Sequence, residues 1–285
     1  MARSVAIFLF SLLLAAPARA TLVAVVPARD GVVIAADSRF TFMSAPCDGA
    51  FKILEPARPL RTVAFVTGDS IFVAPPPAGQ APCRYLATAP RLLDMGAVVR
   101  AFLDRSGGDP AQISIFDLST ACVEAVERFR RAYPNALAGY AGREIFSVVV
   151  ASYDPDRYAS TLRNFVVRLG RNGRIEATRM SETTVGPRTP RGVWIYGEAQ
   201  YVNREVYAGP GRRFLKPATR DFLGERVPIG AVPLNEAVAA AIDVVKAACR
   251  TAEIAPPPSG IGGTIRVVVA GAGPHLLALP PAAAH

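Results

Sequence analysis

Histidine is nearly missing from this 285-residue sequence, where only His275 and the terminal His285 occur. A histidine-based triad or a histidine-rich metal site therefore has almost no material to draw on. Lysine is nearly as scarce, with Lys52, Lys216 and Lys246 the full set. The four cysteines, Cys47, Cys83, Cys122 and Cys249, fall in no C-x-x-C or other metal-ligand spacing, so neither a metal nor a cofactor is expected. Past residue 20 there is no long uninterrupted apolar run, so no stable membrane insertion is expected of the remainder. The arginines are scattered, with no dense basic stripe and no interleaved aromatics. That pattern argues for a solvated basic surface and against a nucleic-acid partner.

What is present points to an exported, well-packed protein. Hydrophobic residues make up 51% of the chain and charged ones only 19%, which predicts a substantial core and excludes global disorder. Residues 1–20 read MARSVAIFLFSLLLAAPARA: Arg3, then an apolar run from Val5 to Ala16, then Ala18-Arg19-Ala20. A charged start, a short apolar stretch and small residues at minus three and minus one make a secretory signal. Its two arginines leave with it, so the formal charge falls from +9 to +7. A periplasmic or secreted location follows as an expectation, and with it the chance of disulfides. Cys47 and Cys83 fall in loop-like sequence and are free to pair; Cys122 and Cys249 sit in helical patterns and read as buried thiols. Cleavage after Ala20 would leave Thr21 with a free α-amino group.

Residues 21–285 show no linker, and a single domain is expected. Leu22–Val26 and Gly31–Ala36 are short runs rich in β-branched residues, joined by Pro27-Ala28-Arg29-Asp30-Gly31, and predict a hairpin. Further strands are predicted over Arg61–Thr67, Ile145–Tyr153, Asn164–Leu169, Val193–Tyr196 and Ile265–Ala270. Helical spacing predicts helices over Ala89–Leu103, Ser119–Ala132 and Asn235–Ala252. Residues 74–83 are proline-rich and 182–192 polar with Pro and Gly, and both read as loops. The tail 276–285 reads as frayed. Strands, then two helices, then strands, helices and a final strand predict sheets packed between helices.

A leading threonine can act as nucleophile and base in one residue. Its hydroxyl attacks a carbonyl while its own α-amine takes the proton, directly or through water. The amine suits the task because its ordinary pKa is about 7.7–8.0, against about 10.4 for lysine. Such a site also needs a positive neighbour, a carboxylate to orient that neighbour, and backbone N–H groups for the oxyanion. The chain supplies Asp37 at the end of the second hairpin strand, Lys52 in FKILE and Gly68 in FVTGDS. Each has a bland reading alone: a turn aspartate, a surface lysine, a turn glycine.

Together they carry a resemblance. The stretch TLVAVVPARDGVVIAADSR is similar to the amino terminus of mature proteasome-type β subunits and their bacterial relatives, which are N-terminal-nucleophile hydrolases. In that family a leading threonine opens a strand and a G-V-V-x-A-A-D-S/R-R segment follows. Thr21 and Asp37 match it without a gap, Lys52 matches the lysine before an apolar pair, and Gly68 matches the oxyanion glycine. Ser259-Gly260-Ile261-Gly262-Gly263 before TIRVVVA resembles the family's S-G-G turn, which adds Ser259 to the implied site.

The resemblance implies an α+β fold, the four-layer αββα sandwich of these hydrolases, and a peptide or small amide as substrate. Since the family forms rings, it also raises homo-oligomerisation. Two positions depart from the pattern: Pro256 stands where an aspartate is usual, and Gly197-Glu198-Ala199 where glycine-serine-glycine is frequent. Glu253 is a candidate to replace the lost carboxylate. These departures keep two rivals open: a catalytically silent binding or assembly module, and a basic protein that binds an anionic envelope component.

Overall fold

A computed structural model describes residues 19–20, 22–50, 52–55, 61–256 and 260–271. The signal segment up to residue 18, Thr21, Ser259 and the tail 276–285 lie outside the described residues. The chain is a mixture of antiparallel sheets and helices. In order, its first strands are β1 (Arg19–Ala20), β2 (Leu22–Ala28), β3 (Gly31–Asp37), β4 (Phe40–Phe42), β5 (Ala45–Cys47), β6 (Ile53–Leu54), β7 (Thr62–Asp69) and β8 (Ile71–Val73). Then come α1 (Pro82–Thr88), β9 (Arg91–Asp94), α2 (Met95–Arg105), α3 (Ile115–Ala132), β10 (Arg143–Asp154), β11 (Ala159–Leu169) and β12 (Ile175–Val185). The last elements are β13 (Trp194–Gly197), α4 (Ala199–Tyr201), α5 (Pro217–Gly224), α6 (Leu234–Ile254) and β14 (Ile265–Gly271).

Two sheets dominate. One runs β12-β11-β10-β7-β1-β4-β5, with β6 also paired to β7; the other runs β13-β2-β3-β14. Successive side chains of a strand point to opposite faces, so each sheet feeds two cores. Val23, Val25, Val32 and Ile34 meet Ile53, Val63, Phe65 and Val149 between the two sheets. Val26, Val33 and Ala35, on the other face of the smaller sheet, pack with α6 through Ala237, Ala241, Val244 and Ala248. Alanines at helical spacing let α6 lie close to β2 and β3. Ala64, Val66, Val148 and Val150 pack on the outer side of the larger sheet with Val99 of α2 and Leu118, Cys122 and Val126 of α3.

Several expected boundaries move. The helix expected over Ala89–Leu103 is two elements: Arg91–Asp94 pairs with β8, and α2 starts at Met95, where the Asp94 carboxylate accepts from Ala97 N at 3.0 Å. Leu92 and Leu93 fit a helical stripe, but the free edge of β8 and an N-capping aspartate decide otherwise. The loop expected over 182–192 is strand up to Val185, because β12 runs beside β11 over its full length. Its largely exposed stretch EATRMSETT carries none of the apolar alternation by which strands are read. The proline-rich loop ends two residues early, since Pro82 occupies the first turn of α1.

Neither Cys47 nor Cys83 is in a loop; they lie in β5 and α1 and are joined by a disulfide with Cα atoms 5.3 Å apart and a sequence separation of 36. Closing a loop of that length in the unfolded chain is worth roughly 3–4 kcal/mol. The double variant Cys47→Ala/Cys83→Ala is therefore expected to lose about that much stability in urea unfolding; an unchanged midpoint would show that the bond constrains nothing. Cys122 and Cys249 are free and buried, and burial pushes each thiol up to about 12.

Candidate active site

The carboxylate of Asp37 is the centre of the site. It ends β3 beside the start of β2, and hairpin pairing between these two strands brings the ends together. Its Oδ1 accepts from Leu22 N at 3.0 Å and from Lys52 Nζ at 2.5 Å. Its Oδ2 accepts from Gly262 N at 3.1 Å and from Arg39 N at 3.3 Å. Three backbone donors thus lock the carboxylate, and it in turn locks the ammonium. The side chain of Lys52 is 3% exposed and that of Asp37 is 0% exposed. Burial pulls the Lys52 ammonium below its ordinary value, while the charge and hydrogen bond of Asp37 act the other way.

Lys52 reaches this position from the segment between β5 and β6. Ala50 N donates to Ser38 O at 2.9 Å, and Arg39 holds Asp48 through Nε at 2.8 Å. The far end of the chain closes over the same turn. Thr264 N donates to Ser38 Oγ at 2.9 Å, Arg39 N to Gly262 O at 3.0 Å and Gly260 N to Thr41 Oγ1 at 3.1 Å. The contact is tight: a Cβ on Gly263, which has a φ of 75°, would lie 2.5 Å from Ser38 Oγ.

Gly68 stands where β7 changes partners. It faces Phe146 of β10 on one side and Ala20 of β1 on the other. Its φ is 88°, and a Cβ there would come 2.8 Å from Ile145 O and 2.9 Å from Phe146 Cα. No other residue fits that backbone, so the position is reserved for glycine by sterics. Next to it, buried Asp69 accepts from Tyr140 OH at 2.6 Å. That contact has no signal in the sequence, because Tyr140 is 71 residues away and follows no motif.

Of the expected site residues, Asp37 and Lys52 are brought into contact, and Gly68 is placed on the strand edge facing β1. Thr21 and Ser259 lie outside the described residues, but their neighbours Leu22 and Gly260 belong to the hydrogen-bonded cluster. Gly197 pairs with Leu22, so Glu198 follows directly beyond the start of β2. Glu253 is exposed on the last turn of α6 and forms no ion pair among the described residues, which leaves it outside the Asp37–Lys52 cluster. Cys249 lies near enough to Asp37, Lys52 and Arg39 to feel their charges. Raised to about 12, chiefly by burial, its thiol is neutral at ordinary pH and no rival nucleophile.

The chain resembles Anbu, an ancestral β-subunit. Against Anbu from Yersinia bercovieri it is 14% identical with a TM-score of 0.45, covering 88% of this chain and 82% of that one. Against Anbu from Hyphomicrobium sp. strain MC1 the values are 11%, 0.48, 92% and 88%. Against the helical assembly of the Anbu complex from Pseudomonas aeruginosa they are 15%, 0.45, 92% and 87%. No family model matches the sequence. No curated protein matches it either. Likeness at these values assigns neither an activity nor an assembly to this chain.

Among the described residues no group of three or more metal-ligating side chains comes together, and no helix is long and apolar enough to cross a membrane. The chemistry available at the site is a buried cation held by a fixed carboxylate at the point where the hairpin begins.

Proposed function

We propose that this chain is an exported threonine-type N-terminal-nucleophile hydrolase that cleaves amide bonds, with peptides as the first substrate class. The observation that carries the reading is the buried Asp37–Lys52 pair, whose carboxylate also holds the N–H of Leu22. That one contact ties the cation to the residue following Thr21. The three cores fit a four-layer arrangement, helices outside and two sheets inside, and support the same reading.

In the proposed reaction Thr21 Oγ attacks the amide carbonyl and its proton passes to the α-amine. Lys52 stabilises the developing alkoxide, Asp37 orients Lys52, and the Gly68 N–H receives the oxyanion. The carbon–nitrogen bond then breaks, with the ammonium returning its proton to the leaving amine. An acyl-threonine ester remains, and water attacks it to release the acid and restore the hydroxyl. The acyl part of the substrate lies extended beside β7, in the place between β4 and β7 that Arg19–Ala20 takes in the full-length chain.

That same pairing favours a second reading. A chain that keeps Arg19–Ala20 in the sheet has its strand edge filled and its threonine amine blocked, and is then a silent module. Intact mass and N-terminal sequencing of the exported protein separate the two. A mature chain beginning at Thr21 is expected, labelled stoichiometrically by a threonine-reactive epoxyketone, with labelling lost in Thr21→Ala. A different first residue, or equal labelling of both proteins, would sink the hydrolase.

A further inference from the structure

Beside Lys52 a cavity of about 330 Å³ opens between the edge of β7, α1 and the start of α2. Resting on the hydrolase reading, we propose that this cavity receives the substrate side chain on the acyl side of the cleaved bond, and that it selects a carboxylate, as in glutamate or aspartate.

Position comes from strand geometry. Val66 of β7 and Ser70, just past its end, lie two residues either side of Gly68, and both line the cavity. A peptide residue placed opposite Gly68, as Ala20 is, has these two as its diagonal neighbours.

Selection comes from charge. Five charged residues line the space: Asp48, Lys52, Arg91, Asp94 and Arg100. Asp48 is neutralised by Arg39, and Lys52 by Asp37. Asp94 is committed to capping α2 through Ala97 N. Arg91 and Arg100 are exposed and make no ion pair with any described residue. They therefore line the cavity together with apolar Leu54, Val66 and Leu86 as two guanidinium groups that are hydrogen-bonded to no described residue, which suits a side chain with a methylene stem and an anionic end. The first turn of α2 faces the cavity through Gly96 and Ala97, and its dipole adds to the positive potential.

The test uses the mature chain carrying Thr21→Ala, with acetyl-Ala-Arg-Xaa amides in which Xaa is Glu, Gln or Lys, and acetyl-Ala-Arg-Leu with a free terminal carboxylate. By calorimetry at low salt the Glu peptide is expected to bind about tenfold more tightly than the Gln peptide, with Lys weakest. In Arg91→Glu/Arg100→Glu, a surface change that leaves the core intact, Lys should become the preferred residue. Equal binding of Glu and Gln, an unaltered order in the double variant, tighter binding of the free-acid Leu peptide, or no binding at all would each overturn the proposal. Failure of the hydrolase reading is distinguishable. The Glu preference would then persist in Thr21→Ala while the mature unmutated chain cleaved none of the corresponding anilides. Cleavage of all the anilides without charge preference would remove the carboxylate pocket and leave the hydrolase.

Discussion

Lys52→Met is expected to slow acylation of Thr21 by roughly a hundred- to a thousandfold, the usual effect of removing a preorganised electrostatic group from a water-excluded site. Methionine matches the length of the lysine stem and leaves little cavity, so the loss reports charge and not packing. The carboxylate left behind keeps its backbone donors on Leu22, Arg39 and Gly262, which limits the structural consequence. The effect should also appear in the pH profile. A buried cation close to the α-amine favours its neutral form, so without Lys52 the ascending limb moves to higher pH. Rates of epoxyketone labelling from pH 5 to 10, with circular dichroism to check the fold, measure both. A variant that labels within about threefold of the parent at every pH would remove Lys52 from the mechanism.

Asp37→Asn should have the largest effect on stability. Breaking one side of a buried pair leaves an uncompensated charge and costs about 3–5 kcal/mol. The side-chain oxygen of asparagine can retain only part of the four contacts that Asp37 makes with Leu22 N, Lys52, Arg39 N and Gly262 N. The deficit depends on pH with a definite sign. Burial lowers the Lys52 ammonium and Asp37 opposes that shift, so removing Asp37 lowers it further. Between the folded and unfolded values the unfolded chain then binds more protons, and stability rises with pH. Urea unfolding near neutrality and again one or two units higher should therefore show the gap between variant and parent narrowing. A gap that is constant or widens would mean that Lys52 is not charged and unpaired in the variant.

Legibility in the sequence followed local chemistry. The hairpin of β2 and β3 was readable because its two apolar runs of valine, isoleucine and alanine are separated by a proline-and-glycine turn. The stripe of α3 was readable because Cys122, Val123, Val126 and Phe129 recur at helical spacing; three of them are buried and Val123 is half-buried. β9 was not, since Leu92 and Leu93 suit either period and only β8 as a pairing partner decides. β12 was not, since hydrogen bonds to β11 define it and its exposed side chains carry no pattern. At the site, Asp37 and Lys52 were singled out through a family resemblance; their spacing alone predicts no contact. Tyr140 and the two arginines over the cavity had no local signal.

By itself the sequence determined which chemistry was excluded and which residues were available. With only His275 and His285, a histidine triad has almost no material; three lysines make Lys52 conspicuous, and the apolar leader ending in Ala-Arg-Ala fixes where a new amino terminus is expected. It also determined the strands and helices whose burial is periodic, because a period of two or 3.6 is written in the chain. The tertiary structure alone decided the 2.5 Å contact of Lys52 with Asp37, the closure of residues 260–264 over residues 38–41, the disulfide partner of Cys47, and the setting of Arg91 and Arg100 over a cavity beside Lys52. Each joins segments distant in the chain. Such contacts depend on how sheets stack and strands exchange partners, and those choices are made by packing the whole core, where no local pattern records them.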